Sequence, residues 1–479
     1  MTKLAELARL DACAQAELVR RGELTGDELL AACEQRVEAM EPVIHGLASV
    51  NFERARARLA EPAVRTGVFG GVPFVVKDVA PYPGFVWSLG SRLFAENLVS
   101  APSPLAQSLD RAGLLVFGKS TTSEFGLLGS TETLLHGVTH NPWNLAYSAL
   151  GSSGGAAALV ASGIVPVAHA SDGGGSIRIP ASVCGLFGFK PSNGRNVSPA
   201  LGAGANSDFV KLTPDHCISR SVRDSARLLA VLERPELDAG LPRVGEVTEP
   251  IQRRLRIGFY SRTVFGEEPV AEVRAALDRA LALCAELGHT VTEIAPPPLD
   301  GPALSEAFFS VAGAAIADVF DMMGAMLRRP VGRGDVERFT LELVEFQRRA
   351  GKASLERARE TFQKARETYL SATRELDVVV TPTLPVLPWQ LGTLPPILDR
   401  ETLIARTEER VNYTPIHNIA GCPAMSVPLA MSEGGLPIGI HFSAAPGQDA
   451  LLLALALELE AAAPWRDRWA PWSVVKLFE

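Results

Sequence analysis

The chain has 479 residues, 47% apolar and 21% charged, an ordinary globular composition that excludes a disordered or fibrous chain. Lys plus Arg total 46 against 54 Asp plus Glu, a net charge of −8, so the basic face of a nucleic-acid binder is not expected. Six Cys without a CxxC pair argue against a disulfide scaffold or zinc ribbon, and no metal or cofactor is expected.

Met1 to Leu10 carries Lys3, Glu6 and Arg9 and lacks an apolar signal-like core, so a cytoplasmic protein is expected. Residues 1–60 read as helices. Gly22 is placed to end the stretch closing at Leu18 and Val19. Thr25 and Glu28 form a capping box for a helix running to about Met40. Gly71 to Val76 is a short apolar, β-branched run, a buried strand that ends abruptly in Lys77-Asp78; Leu114 to Phe117 is a second.

Asn141 to Ser171 contains no Asp, Glu, Lys or Arg and is long enough to span a bilayer. Its prolines, Pro142 and Pro166, its glycines and its polar opening favour a buried segment, so no membrane contact is expected. Within it Ala156 to Gly163 reads as a tightly packed helix and Ile164 to Ala168 as a strand, followed by another apolar run at Leu186 to Phe189. Strands alternating with helices predict an α/β fold with a mostly parallel, mixed central sheet covered by helices on both faces. Further on, Leu255 to Tyr260, Ala271 to Leu287 and Thr290 to Ile294 read as β-α-β. Asp335 to Glu375 is charged and periodic, one or two solvated helices. Val378 to Val380 is a strand, and Thr381 to Pro396 is Pro-rich.

Several motifs need their context tested. Gly113 to Ser120 matches G-x4-G-K-[ST], but its intervening residues are Leu-Leu-Val-Phe, a strand rather than a phosphate-cradling loop. His136 and His140 have the spacing of two ligands on a helix, yet Gly137, Val138 and Thr139 between them predict a loop. Gly151-Ser152-Ser153-Gly154-Gly155 matches the G-x-S-x-G nucleophile elbow with Ser153 at its centre. The residues before it, Asn141 to Leu150, read as a loop instead of the required strand. The base would have to be one of His169, His216, His289, His417 or His441, and none is marked by its neighbours.

Downstream lies Ser171-Asp172-Gly173-Gly174-Gly175-Ser176-Ile177-Arg178. Consecutive glycines let backbone amides converge on one spot, where they can hold an oxyanion beside an attacking Ser. A Ser nucleophile needs a base. Lys77, at the end of an apolar run, is a candidate, because desolvation disfavours its ammonium form.

These residues resemble the amidase signature family. The likeness rests on Gly71 to Asp78, Asn141 to Asn144, Gly151 to Gly155 and Ser171 to Pro191, with weaker similarity reaching Gly435 to Gly439. Within the family, His169 to Ser182 and the tail around Asp449 to Trp465 are similar to the 6-aminohexanoate cyclic-dimer hydrolases. The resemblance implies a single domain over residues 1–479, with N-terminal helices at 1–60, a signature core at 65–225 and a charged helical segment at 325–375. It implies an amidase with Ser176 as acyl-enzyme nucleophile, Ser152 as bridging Ser with a cis peptide to Ser153, and Lys77 as base. It also implies an oxyanion hole from the amides of Gly173, Gly174, Gly175 and Ser176, with Ser153, Asp172 and Arg178 supporting. The expected partner is a small or oligomeric amide of nylon-oligomer, aryl acylamide or urethane type; a homodimer stays open. Two other readings remain at this point: a glutaminase subunit of a tRNA-dependent amidotransferase, and a His-dependent serine esterase using Ser153. Leu150, Ala156 and Gly173 depart from the family pattern, where Gly, Ser and a larger residue are usual. Ser130 to His136 and Ser198 to Lys211 are expected to shape the pocket, with Phe308 to Met323 covering it.

Overall fold

In the computed structural model, residues 3–199, 207–238 and 240–479 are described. Asp11 caps helix α1 (Ala12–Arg20) by accepting from the Ala14 N–H, and Gly22 follows its end at φ +72. Thr25 and Glu28 form the expected capping box on α2 (Gly26–Ile44). This helix passes through Pro42 and ends at Ile44, beyond the expected Met40. Its stop is the left-handed His45, whose N–H donates to the Glu41 carbonyl at 3.0 Å. The N-terminal segment is not all helical, as had been expected. Leu47–Val50 forms strand β1, a run too short to show a period of its own and held by pairing.

The expected strand before Lys77 is β2 (Pro73–Lys77), buried throughout. It pairs in parallel with β3 (Leu115–Ser120), which pairs antiparallel with β1. The P-loop-like run is therefore a strand. Its Lys119 is fully buried and donates to Asp78 Oδ1 at 3.1 Å and the Ala80 carbonyl at 2.6 Å. His136 and His140 lie in short hairpins, not on a helix. The segment before Gly151, expected to be a loop, holds strand β4 (Asn144–Ser148). Its alternation was hidden because its partner is only His140–Asn141.

Helix α3 (Gly154–Ala161) is buried along its whole length, as its small residues allow. The next strand, β5, spans Val167–Ser171. It starts later than expected, because Pro166 cannot donate to a ladder. The remaining strands are β6 (Phe187–Lys190), β7 (Asp215–Ser219), β8 (Arg256–Phe259), β9 (Thr290–Glu293), β10 (Val378–Pro382), β11 (Ala424–Met431) and β12 (Pro437–Ser443). They form an eight-stranded sheet with β5 in the order β9-β8-β10-β12-β11-β6-β7-β5.

The α/β class and the mixed sheet agree with expectation, but its balance does not. Only β8–β9 and β8–β10 are parallel, and the other five neighbours are antiparallel. The βαβ unit β8–α4–β9, with α4 at Ala271–Glu286, was legible because its connection is local. The antiparallel neighbours β6 and β11 are distant in sequence, whereas β11 and β12 form a hairpin closed by a short turn. Helices cover both faces. Val378 and Val380 pack with Val273 and Leu277 of α4, while Val379 points the other way, towards Tyr260 and Tyr413.

The expected charged segment is α6 (Arg338–Thr373), broken at Gly351 with φ +70. It packs along α5 (Gly301–Leu327). By length and composition alone α5 could cross a membrane, but half of its most apolar window is buried in the protein.

Candidate active site

The two sheets meet where β2 lies along β5. No strand ladder joins them. The Lys77 N–H instead donates to His169 Nδ1 at 3.2 Å, and His169 Nε2 lies 3.1 Å from Asp215 Oδ1. A neutral imidazole protonated at Nε2 satisfies both contacts. Lys77, last in β2, is fully buried. Burial pushes its amine down from 10.5 to about 7, partly opposed by the carboxylates of Asp215 and Asp172. Its Nζ is 2.7 Å from Ser152 Oγ, 3.1 Å from Ser171 Oγ and 3.4 Å from the Ser171 carbonyl. A neutral amine has two N–H donors and one lone pair, so it can donate towards Ser171 and accept from the Ser152 hydroxyl.

Ser152 sits in a tightly built turn. Leu150 has φ +57, and the cis peptide bond is Gly151–Ser152, one bond earlier than the expected Ser152–Ser153. It is therefore the peptide entering Ser152 that turns. A side chain on Gly151 would place Cβ 2.6 Å from the Ser130 carbonyl oxygen and 2.8 Å from that of Leu128, so only glycine fits. The Thr131 hydroxyl ties the turn together, donating to the Leu150 carbonyl at 2.8 Å and accepting from the Gly154 N–H at 3.2 Å. Ser153 is fully buried, and its hydroxyl donates to the Ser171 carbonyl at 3.2 Å. The strand-turn-helix that an elbow needs is thus present, contrary to expectation, but its base is not.

None of the five candidate histidines contacts Ser153 or Ser176 among the described residues. His169 is held as above. His216 pairs with Ser225, His289 with Glu458, His417 with Tyr369 and His441 with Arg178. Burial pushes His216 down to about 3 and holds His417 and His441 well below the usual range.

The Gly-rich loop is organised by Asp172. Its carboxylate accepts from the amides of Gly175 at 2.7 Å and Ile177 at 3.1 Å, and from Arg178 Nε and Nη2 at 2.8 Å each. Asp172 and Arg178 are fully buried, and the guanidinium holds the Asp172 carboxyl well below its ordinary range. Arg178 also donates to the Thr414 carbonyl at 3.0 Å and to Asn418 Oδ1 at 2.7 Å. The Gly175 N–H is therefore engaged, which removes it from the expected oxyanion donors. Gly175 has φ +134, and a Cβ there would lie 2.3 Å from Thr414 Oγ1, so its role is to let the loop close against Thr414. The amides of Gly173, Gly174 and Ser176 have no protein acceptor among the described residues. Ser176 itself is half-buried.

Gly173, Gly174, Ser176 and Gly151 form one side of a cleft of about 880 Å³, open mouth included. Its walls are apolar: Leu127, Leu128, Phe209, Phe265, Leu304, Phe308, Phe309, Ile416 and Ile419 among them. Of the expected cover, Phe308 to Met323 on α5, only Phe308 and Phe309 line the cleft. Of the two expected pocket loops, Ser130 to His136 does not line the cleft, and Gly126–Gly129 just before it does. From Ser198 to Lys211 only Phe209 does, with residues 200–206 outside the described residues. Among the described residues no three His, Cys, Asp or Glu side chains are grouped to hold a metal ion.

Ser171, Thr131, Thr414 and Asn418 were missed by sequence reasoning. A signal existed for Ser171: the strand period of two puts it on the same face as His169, and both contact Lys77. The other three come from distant segments and had none.

Comparison with known proteins shows the family and the fold. The sequence model of the family described as Amidase matches residues 28–453. The chain is 36% identical over 470 residues to the putative amidase AmiC of Mycobacterium bovis (strain ATCC BAA-935 / AF2122/97), covering 97% of each. It is 34% identical over 479 residues to the 6-aminohexanoate-cyclic-dimer hydrolase of Pseudomonas sp. (strain NK87), covering 96% of each. A solved structure of 6-aminohexanoate cyclic dimer hydrolase complexed with substrate superposes with a TM-score of 0.86 at 32% identity, covering 97% of this chain and 99% of that one.

Proposed function

The chain belongs to the amidase signature family of C–N hydrolases, and from that premise we propose that it cleaves a small or oligomeric carboxamide through an acyl-enzyme on Ser176. The observation that carries this reading is the 2.7 Å contact between Lys77 Nζ and Ser152 Oγ beneath a cleft lined by Ser176. Ser176 Oγ attacks the carbonyl carbon. Its proton passes to Ser152 as the Ser152 proton passes to neutral Lys77. The amides of Gly173, Gly174 and Ser176 receive the oxyanion. Collapse breaks the C–N bond, and the leaving amine takes the proton back from Lys77 through Ser152. Water then cleaves the Ser176 ester by the same relay, releasing the carboxylic acid.

Asp172 and Arg178 support the loop without touching the reacting atoms, and Ser153 anchors the turn. Nylon-oligomer, aryl acylamide and urethane types all suit the apolar cleft. The esterase reading lacks a histidine at Ser153, and no observation favours the amidotransferase subunit. We place the activity in the cytoplasm, within one domain over residues 1–479.

The test is a panel of anilides, linear and cyclic oligoamides and aryl carbamates, with amine release as the readout. Release by the wild type, lost in Ser176→Ala, is expected. Undiminished release by Ser176→Ala overturns the proposal.

A further inference from the structure

Among the described residues lining the cleft, Glu408 alone is ionisable. It ends helix α7 (Arg400–Glu408) and is half-buried. It also lines an adjoining outer hollow with Arg400, Glu401 and Glu306, so it stands where the cleft meets the outside. Among the described residues none of the neighbouring arginines pairs with Glu408, although the buried Arg400 Nε has no acceptor. Arg410 pairs with Glu409, Arg406 donates to the Thr393 carbonyl at 2.8 Å, and Arg400 stacks on Phe346 and pairs with Glu401. Among the described residues the Glu408 carboxylate has neither a cation nor an N–H donor.

A second acceptor lies beside it. Asn412, 3% exposed, lines the same cleft. Its Nδ2 donates to the Glu408 carbonyl at 3.2 Å, and its Oδ1 has no donor. A buried acceptor without a donor is uncommon and calls for a partner. An apolar cleft with Ser176 on one side and the unpaired Glu408 carboxylate on its wall fits a chain carrying a positive charge.

We propose that Glu408 forms a subsite for a protonated primary amine, so that the preferred substrates are amides bearing an ω-ammonium group on an apolar chain. This rests on the amidase reading above. An alkylammonium has an ordinary pKa near ~10, so it stays charged at a pH where a base that titrates near 7 is neutral. The same carboxylate disfavours a chain that ends in a carboxylate, by like-charge repulsion.

The experiment compares mono-p-nitroanilides of 6-aminohexanoic, hexanoic and adipic acids, reading ratios of kcat/KM within each variant so that changes in folded fraction cancel. In the wild type the order should be amino over neutral over acid. The amino-to-neutral ratio should be about two- to fivefold, as for a partly screened ion pair, and should narrow in high salt. Glu408→Gln should bring that ratio close to unity. An equal ratio in the wild type and Glu408→Gln overturns the proposal.

Binding to Ser176→Ala separates this from the catalytic reading. By calorimetry hexylammonium should bind more tightly than hexan-1-ol, and adding Glu408→Gln should erase the difference. Equal binding of the two overturns the subsite. A retained binding preference with no hydrolysis of any anilide by the wild type upholds the subsite and overturns the amidase reading.

Discussion

Replacing Lys77 by Met should remove the low-pH limb of the kcat/KM profile together with most of the rate. Burial lowers the amine to about 7, and only its neutral form can accept a proton, so activity is gained as pH rises through that value. The neutral fraction is then about one-half at pH 7, one-tenth at pH 6 and one-hundredth at pH 5, a tenfold fall per pH unit. An amine left at its ordinary value would be neutral in only about 3 of 10⁴ molecules at pH 7, so burial raises the competent population about 10³-fold. Met fills the same space without a lone pair, and loss of a positioned base typically removes ~10²–10⁴ of the rate. The assay is anilide hydrolysis from pH 5 to 9. The nearby competitor is His169, which burial holds below its ordinary value. A limb that persists unchanged in Lys77→Met assigns the titration to another group and refutes the reasoning.

Three further outcomes follow from named contacts. Asp172→Asn leaves the fully buried Arg178 without its carboxylate and should cost about 3–5 kcal/mol in urea unfolding; a change below about 1 kcal/mol contradicts its organising role. Leu150→Gly relieves a left-handed residue at φ +57, worth roughly 1–2 kcal/mol. It also empties a fully buried site, typically worth roughly 2–5 kcal/mol, so the melting temperature should fall, and a rise would show that backbone strain dominates. Ser153→Ala removes one hydrogen bond to the Ser171 carbonyl and should leave kcat within about tenfold, since a typical hydrogen bond contributes ~0.5–1.5 kcal/mol; abolished turnover would restore the elbow reading.

The parts of the molecule that were legible in the sequence are local ones. The capping box at Thr25 and Glu28, the strand ending in Lys77 and the βαβ unit from Arg256 to Glu293 each carry their signal within a few residues or one connection. What was not legible depends on distant partners or on elements too short to show a period. β4 was hidden because its hairpin is short, and the antiparallel balance of the sheet because β6 pairs with β11, far along the chain. The site divides in the same way. Lys77 and Ser176 could be picked out from their local runs, while Ser152 came only from the resemblance to the amidase signature family. That Gly175 spends its amide on Asp172, three residues earlier, is set by the loop's conformation, and that Thr414 and Asn418 brace the loop depends on a segment more than two hundred residues away. Glu408 had no motif at all; only the cleft's otherwise uncharged lining makes it conspicuous.

The central claim is that Ser176 is the nucleophile and that Lys77 activates it through Ser152. Intact-mass spectrometry after treatment with a serine-reactive fluorophosphonate, followed by peptide mapping, tests both parts. The account predicts a single adduct on Ser176 that is lost in Lys77→Ala. An adduct on Ser153, or one on Ser176 formed at an unchanged rate without Lys77, would contradict it.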